Sequence, residues 1–171
     1  MSAFEFSTNT AIGSAEVKHT RRGRFVYAFV TLQIAFIDEL TNHIEYKLNI
    51  PEELDEYHLQ AVRTTEISEV KSALEQGIAL GLGKGNIKGF SVTNCRVTIL
   101  QVLRGVGENS TVALTAAAAK AVWNALEKYV SQARGELKDF QSPKFEPLWI
   151  DFDEEANRWN LHFADYLTLS S

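Results

Sequence analysis

A chain of 171 residues with 45% hydrophobic content fits one domain, or one domain with a short appendage, and can bury a substantial core. Its 17 Lys and Arg against 22 Asp and Glu leave a net charge of −5, which argues against a non-specific nucleic-acid binder, because phosphate affinity comes mainly from counterion release. The one cysteine, Cys95, excludes an intramolecular disulfide framework and a thiolate zinc site, and within "SVTNCRVTIL" it reads as a buried structural thiol.

The opening stretch "MSAFEFSTNT" lacks the basic, apolar and small-residue order of a signal peptide, and no apolar run approaches the roughly 20 residues of a membrane span. A cytoplasmic location without membrane contact is the expectation. Residues 11–18 and 25–36 ("FVYAFVTLQIAF") read as two strands, and "HTRRGR" between them, with its one glycine, as an antiparallel hairpin turn. "HIEYKLNIP" alternates at Ile44, Tyr46, Leu48 and Ile50 and stops at Pro51, a further strand, followed by the acidic solvated loop "EELDEYH". From Thr65 the period turns helical, with Ile67, Val70, Leu74 and Ile78 on one face and Thr65 as N-cap. That helix has to end in "GLGKGNIKG".

Residues 90–103 ("FSVTNCRVTILQVL") are a strand and "RGVGENS" a turn. Leu114, Ala117, Ala118, Ala121, Val122, Ala125, Leu126, Tyr129 and Val130 then make one apolar stripe over about five helical turns. Asn109 or Ser110 caps its start, Gly135 lies beyond its end, and the alanines of "TAAAAKA" allow close approach to a sheet. After Pro143 and Pro147, "LWIDFD" and "WNLHFADYL" flank "EEANR" as a C-terminal hairpin. Strands and helices mix without strict alternation. The expected class is α+β, a four- to six-stranded, mainly antiparallel sheet with two helices on one face.

Several chemistries fail on spacing. "GIALGLGKGN" is not a phosphate loop, because Gly85 follows Lys84 where a magnesium-binding hydroxyl is needed, Ile78 stands five before Gly83, and a helix rather than a strand precedes it. No nucleotide or other cofactor is expected. "DFDEEAN" sets Asp151, Asp153, Glu155 and Asn157 at alternate positions, yet Ala156 replaces the glycine of a calcium loop and His162 its bidentate glutamate. His19, His43, His58 and His162 show no ligand spacing, so no metal site is assigned. With no Gly-x-Ser-x-Gly elbow and no nucleophile beside an identifiable base, no catalytic residue is assigned and the protein is expected not to be an enzyme.

What remains is "VKHTRRGRF", and its neighbours give it a setting. This stretch resembles the Lys-His pair, Arg-Gly turn and aromatic of translation elongation factor G, domain IV. "VKSALEQGIALG" resembles that domain's first long helix, and "KGFSVTNCRVTIL" its Gly-Tyr-Pro-Val strand, with Phe90 for the tyrosine and Ser91 for the proline. "ENSTVALTAAAAKAVWNAL" resembles the domain's next, alanine-rich helix, and "FEPLWI" the Glu-Pro on which the domain ends. The segments keep their order over roughly residues 10–150. The resemblance implies residues 1–147 as a domain IV-like unit with the ribosomal protein S5 domain 2-like fold and its left-handed βαβ crossover, and 148–171 as a C-terminal hairpin appendage.

It also implies two loop tips that touch RNA. Carried over by position, these are Lys18, His19, Arg21, Arg22 and Arg24 at the first tip, and Glu108, Asn109 and Ser110 within 105–110 at the second. Implied partners are the ribosome or ribosomal RNA, or a translation-related protein. The second tip departs from the family, since Gly105 replaces a histidine and Val106 an aspartate, and no GTPase domain is present. The expectation is a non-catalytic module. The alternative is a protein–protein or self-assembly module, homo-oligomers included, in which the arginines are a solvated turn.

Overall fold

A computed structural model describes residues 10–21, 23–39, 41–50, 59–83, 94–105, 111–133 and 148–163. Arg22 and the whole of 106–110, with Glu108, Asn109 and Ser110, lie outside the described residues.

The two longest described strands are β1 (Thr10–Arg21), which alternates buried Ala11, Gly13 and Val17 with more exposed positions, and β2 (Arg24–Phe36), a run of β-branched and aromatic residues. They pair antiparallel from Thr10–Ala35 to Arg21–Arg24. The connection needs Gly23, whose φ of 80° lies in the left-handed region that side chains disfavour. β2 pairs antiparallel with β5 (Cys95–Gly105), from Phe36–Cys95 to Ala28–Arg104, with a bulge opposite the Thr31–Leu32 step. β5 also takes β3 (His43–Tyr46) in parallel along its first half and β4 (Leu59–Ala61) antiparallel at its end.

The sheet is therefore five-stranded and mixed, in the order β1-β2-β5-β3 with β4 beside β5. The parallel β3–β5 pair follows from the connection between them, which runs through a helix rather than a hairpin. β3 is shorter than its alternation suggested. Lys47 and Asn49 still donate to the carbonyls of Ile99 and Leu100, at 2.9 and 2.7 Å, but Ile50 is exposed.

Two helices are interspersed with the strands, α1 (Ile67–Gly83) and α2 (Val112–Ala133); α2 lies across β1 and β2, and α1 packs against α2. Thr65 does not cap α1. It lies in a 3₁₀ turn, Thr64–Glu66, where the Glu66 carboxylate accepts the Arg63 backbone N–H at 3.0 Å. α1 ends inside the glycine stretch, as its composition predicts. Gly81 does not end it, however; with Gly77 it forms the face that meets α2. A Cβ at Gly77 would lie 2.3 Å from the Thr115 carbonyl oxygen, and one at Gly81 2.8 Å from the Val122 Cβ. Hydrogen bonds fix the crossing, from Thr115 Oγ1 to the Ala73 carbonyl and from Trp123 Nε1 to the Gly81 carbonyl, both at 3.1 Å.

α2 is more than the amphipathic stripe expected. Every residue from Ala113 to Ala119 is buried, so the alanines serve α1 on one side and the sheet on the other. Gly13 of β1 lies under Ala121 and Ala125 for the same reason of close approach. The core comprises Val30, Leu32 and Ile34 of β2, Val97, Ile99 and Val102 of β5, Leu74 and Ile78 of α1, and Leu126 and Tyr129 of α2. Among the described residues no helix is long and apolar enough to cross a membrane.

The C-terminal hairpin consists of β6 (Leu148–Asp153) and β7 (Arg158–Phe163), paired antiparallel as a separate two-stranded sheet. Its acidic turn is closed by Asp153 Oδ1, which accepts the N–H groups of Glu155 and Ala156 at 3.0 and 3.1 Å, while Asn157 takes a φ of 55°.

Candidate functional site

The β1–β2 hairpin is longer than the sheet that supports it. Its last four rungs, Lys18–Tyr27 to Arg21–Arg24, lie beyond Ala28–Arg104, the final β2–β5 pair among the described residues. They form a finger with the arginines at its end. β5 runs antiparallel to β2, so Gly105 leaves the sheet at the end from which the finger projects.

Strand alternation divides the predicted residues between two faces. Lys18 lies on the face turned away from the helices, opposite Tyr27, whose hydroxyl donates to Glu16 at 2.6 Å. His19, Arg21 and Arg24 lie on the face shared with the helices, in register with buried Val17 and Val26. That second face is not bare. Ile150 of β6 is 6% exposed and belongs to the main core, and Trp159 and Leu161 of β7 pack against it, so the C-terminal hairpin extends the core beneath the finger.

Contacts between described residues join the two hairpins. The Arg24 guanidinium lies over the Phe152 ring, 4.6 Å from its centroid. Arg21 Nη2 stands 3.6 Å from Glu154 Oε1, and the rings of His19 and Trp159 are 6.4 Å apart at a tilt. The physical reason lies in the register. Arg21 and Arg24 are directly opposite each other, and like charges in that position repel. A carboxylate beside one and an aromatic face beneath the other offset the repulsion.

Sequence reasoning missed Phe152, Glu154 and Trp159 as members of this site. For Phe152 and Trp159 the signal was alternation in "LWIDFD" and "RWNLHF", which sets Ile150 and Phe152, with Trp159 and Leu161, on one apolar face that requires a cover; Glu154, in the turn, had no such signal.

Two other described groups are perturbed by burial. Burial pushes the Cys95 thiol from 9.0 up to about 12, and the residue is inaccessible. Burial, with Glu75 accepting the hydroxyl hydrogen bond at 3.0 Å, also raises the Tyr46 phenol and ties β3 to α1. A groove of about 460 Å³ is lined by Ser14, Asn124, Glu127 and Lys128. There Asn124 Nδ2 donates to the Ser14 carbonyl at 2.8 Å and covers part of the edge of β1. Among the described residues no group of three or more His, Cys, Asp or Glu is placed to hold a metal ion.

No family model and no curated protein matches the chain. Among solved structures it is similar to the crystal structure of ttk003000868 from Thermus thermophilus, at 20% identity and a TM-score of 0.53 over 71% of this chain. That likeness shows a shared α+β fold. The match covers 16% of the Thermus chain, so there the same fold is one segment of a much longer protein.

Proposed function

We propose that this chain is a non-catalytic, translation-factor-like module of the elongation factor G domain IV type, with the ribosomal protein S5 domain 2-like fold, and that its β1–β2 finger contacts ribosomal RNA. One observation carries the reading. In a chain of net charge −5, Arg21 and Arg24 close a finger that reaches four rungs past its sheet, with His19 on the same face and Lys18 on the other. A guanidinium offers a planar fork of N–H donors matched to phosphate oxygens, and phosphate contacts position a protein on RNA without reading its sequence. The order of segments and the fold shared with part of a longer Thermus protein support a module of this type. The departure of 106–110 from the elongation factor pattern leaves the first tip as the main contact.

A specific observation favours the second reading, a protein–protein or self-assembly module. Both described tip arginines already have partners within the chain. Fluorescence anisotropy with small-subunit ribosomal RNA separates the two. Saturable binding that weakens as salt rises is expected. No binding at low salt, together with concentration-dependent self-association, would favour the second reading.

A further inference from the structure

We propose that the phosphate site of the finger is composite: Phe152 of the C-terminal hairpin holds Arg24 ready for a phosphate, while Glu154 competes with the phosphate for Arg21. This inference rests on the RNA-contact reading and assigns the C-terminal hairpin a part in it.

The two arginines are held in chemically different ways. A guanidinium over an aromatic ring is held by attraction to the ring's π face and not by a carboxylate, so no acid takes up its N–H donors. Arg24 is therefore positioned without being neutralised. An arginine beside a carboxylate has its charge compensated, so Arg21 presents a partly cancelled cation to an approaching phosphate. The Arg21–Glu154 contact is also loose. At 3.6 Å it exceeds hydrogen-bond range, and the two side chains are 56% and 44% exposed, so a phosphate with two well-placed oxygens can displace the carboxylate.

The competitor is fixed in place. Ile150 anchors the hairpin in the main core, and Asp153 closes the turn that carries Glu154. Glu154 therefore acts at a constant local concentration, which a flexible tail would not provide. One phosphate contact is standing and the other is gated by an acid supplied by the same chain. Such an arrangement suits a module of net charge −5 that must let go of RNA as well as hold it.

The test compares the full-length parent with Glu154→Gln, Glu155→Gln and Phe152→Leu by fluorescence anisotropy on deproteinised small-subunit ribosomal RNA at several salt concentrations. Glu154→Gln should tighten binding about two- to fivefold, the equivalent of one exposed ion pair, and steepen the logarithmic salt slope by roughly 0.7 to 0.9. Glu155→Gln, in the same turn, should change neither. Placing Arg21→Glu in the Glu154→Gln background should erase the gain. Phe152→Leu keeps an apolar side chain and should weaken binding; if it instead lowers the melting temperature markedly, the Glu154 and Glu155 variants decide alone, since both are exposed turn positions.

If the parent binds RNA through Arg21 and Arg24 but Glu154→Gln binds no better than Glu155→Gln, the composite site is wrong and the RNA-contact reading stands. If neither the parent nor Glu154→Gln binds RNA at low salt, both fall together.

Discussion

The guanidinium of Arg24 lies over the ring of Phe152, 4.6 Å from its centroid, and joins the start of β2 to the end of β6. The contact changes the meaning of the arginine cluster. A bare turn of like charges would splay, whereas here the closing pair of the finger is held against a second hairpin that is anchored in the core. Rigid presentation of a guanidinium suits phosphate recognition better than a flexible tip does, because less side-chain entropy is lost on binding.

The packing of α2 gives the clearest stability prediction. Leu126 is fully buried between sheet and helices, so Leu126→Asp should cost about 3–5 kcal/mol by placing an unpaired carboxylate in the core. A circular dichroism melt that leaves this variant as stable as the parent would contradict the packing.

The helix crossing makes a graded prediction against intrinsic propensity. Alanine is a better helix former than glycine by about 1 kcal/mol, yet a Cβ at Gly77 meets the Thr115 carbonyl oxygen at 2.3 Å. Gly77→Ala should therefore destabilise most. Gly81→Ala should destabilise less, since its nearest neighbours, the Val122 Cβ at 2.8 Å and the Ala119 carbonyl oxygen at 3.0 Å, need a smaller displacement of the helix backbone, and Gly83→Ala, with nothing within 4 Å, should be close to neutral. Urea denaturation of the three variants checks the order.

Cys95 predicts a pH dependence of known sign. Burial raises its thiol from 9.0 to about 12, so above pH 9 the unfolded chain loses a proton that the folded chain keeps. Stability from this group is complete below pH 9 and is lost as pH rises from about 9 to about 12, at up to about 1.4 kcal/mol per unit. The stability difference between the parent and Cys95→Ala should narrow by about 2 kcal/mol between pH 8 and pH 10.5. The native thiol should also stay unreactive toward a disulfide reagent at pH 8 until the protein is unfolded.

Long periodic segments carried the fold in the sequence. The β-branched and aromatic run of β2, and the leucine and alanine pattern of α2, announce their own structure because burial repeats along the chain. β4 was not legible, since three residues cannot display an alternation, and the parallel partner of β3 is a tertiary fact that no local pattern encodes. At α1 the sequence offered Thr65 as a capping hydroxyl, but the Glu66 carboxylate reached back to Arg63 instead. The finger was readable from the arginines and Gly23. Its contacts with Phe152 and Glu154 were not, because residues from opposite ends of the chain meet there only after folding.

The glycine stretch after α1 should bind no nucleotide. Lys84 is followed by Gly85, which has no hydroxyl for magnesium, and the stretch follows a helix where a phosphate loop follows a strand. Calorimetry with GTP or ATP and magnesium should give no heat of binding. Tight, magnesium-dependent binding would overturn the non-catalytic reading.

The most direct test of the account is co-sedimentation with ribosomes at two salt concentrations, for the parent and for Arg21→Glu/Arg22→Glu/Arg24→Glu. The parent should sediment with ribosomes at low salt and release as salt rises, because the tip supplies most of the attraction in an otherwise acidic chain. The triple variant should stay in the supernatant. Loss of the Glu154 and Phe152 contacts should lower its stability by no more than about 2 kcal/mol, since both are exposed or modest interactions. A parent that never sediments with ribosomes at low salt, or a triple variant that sediments as well as the parent, would contradict the assignment of the finger to RNA.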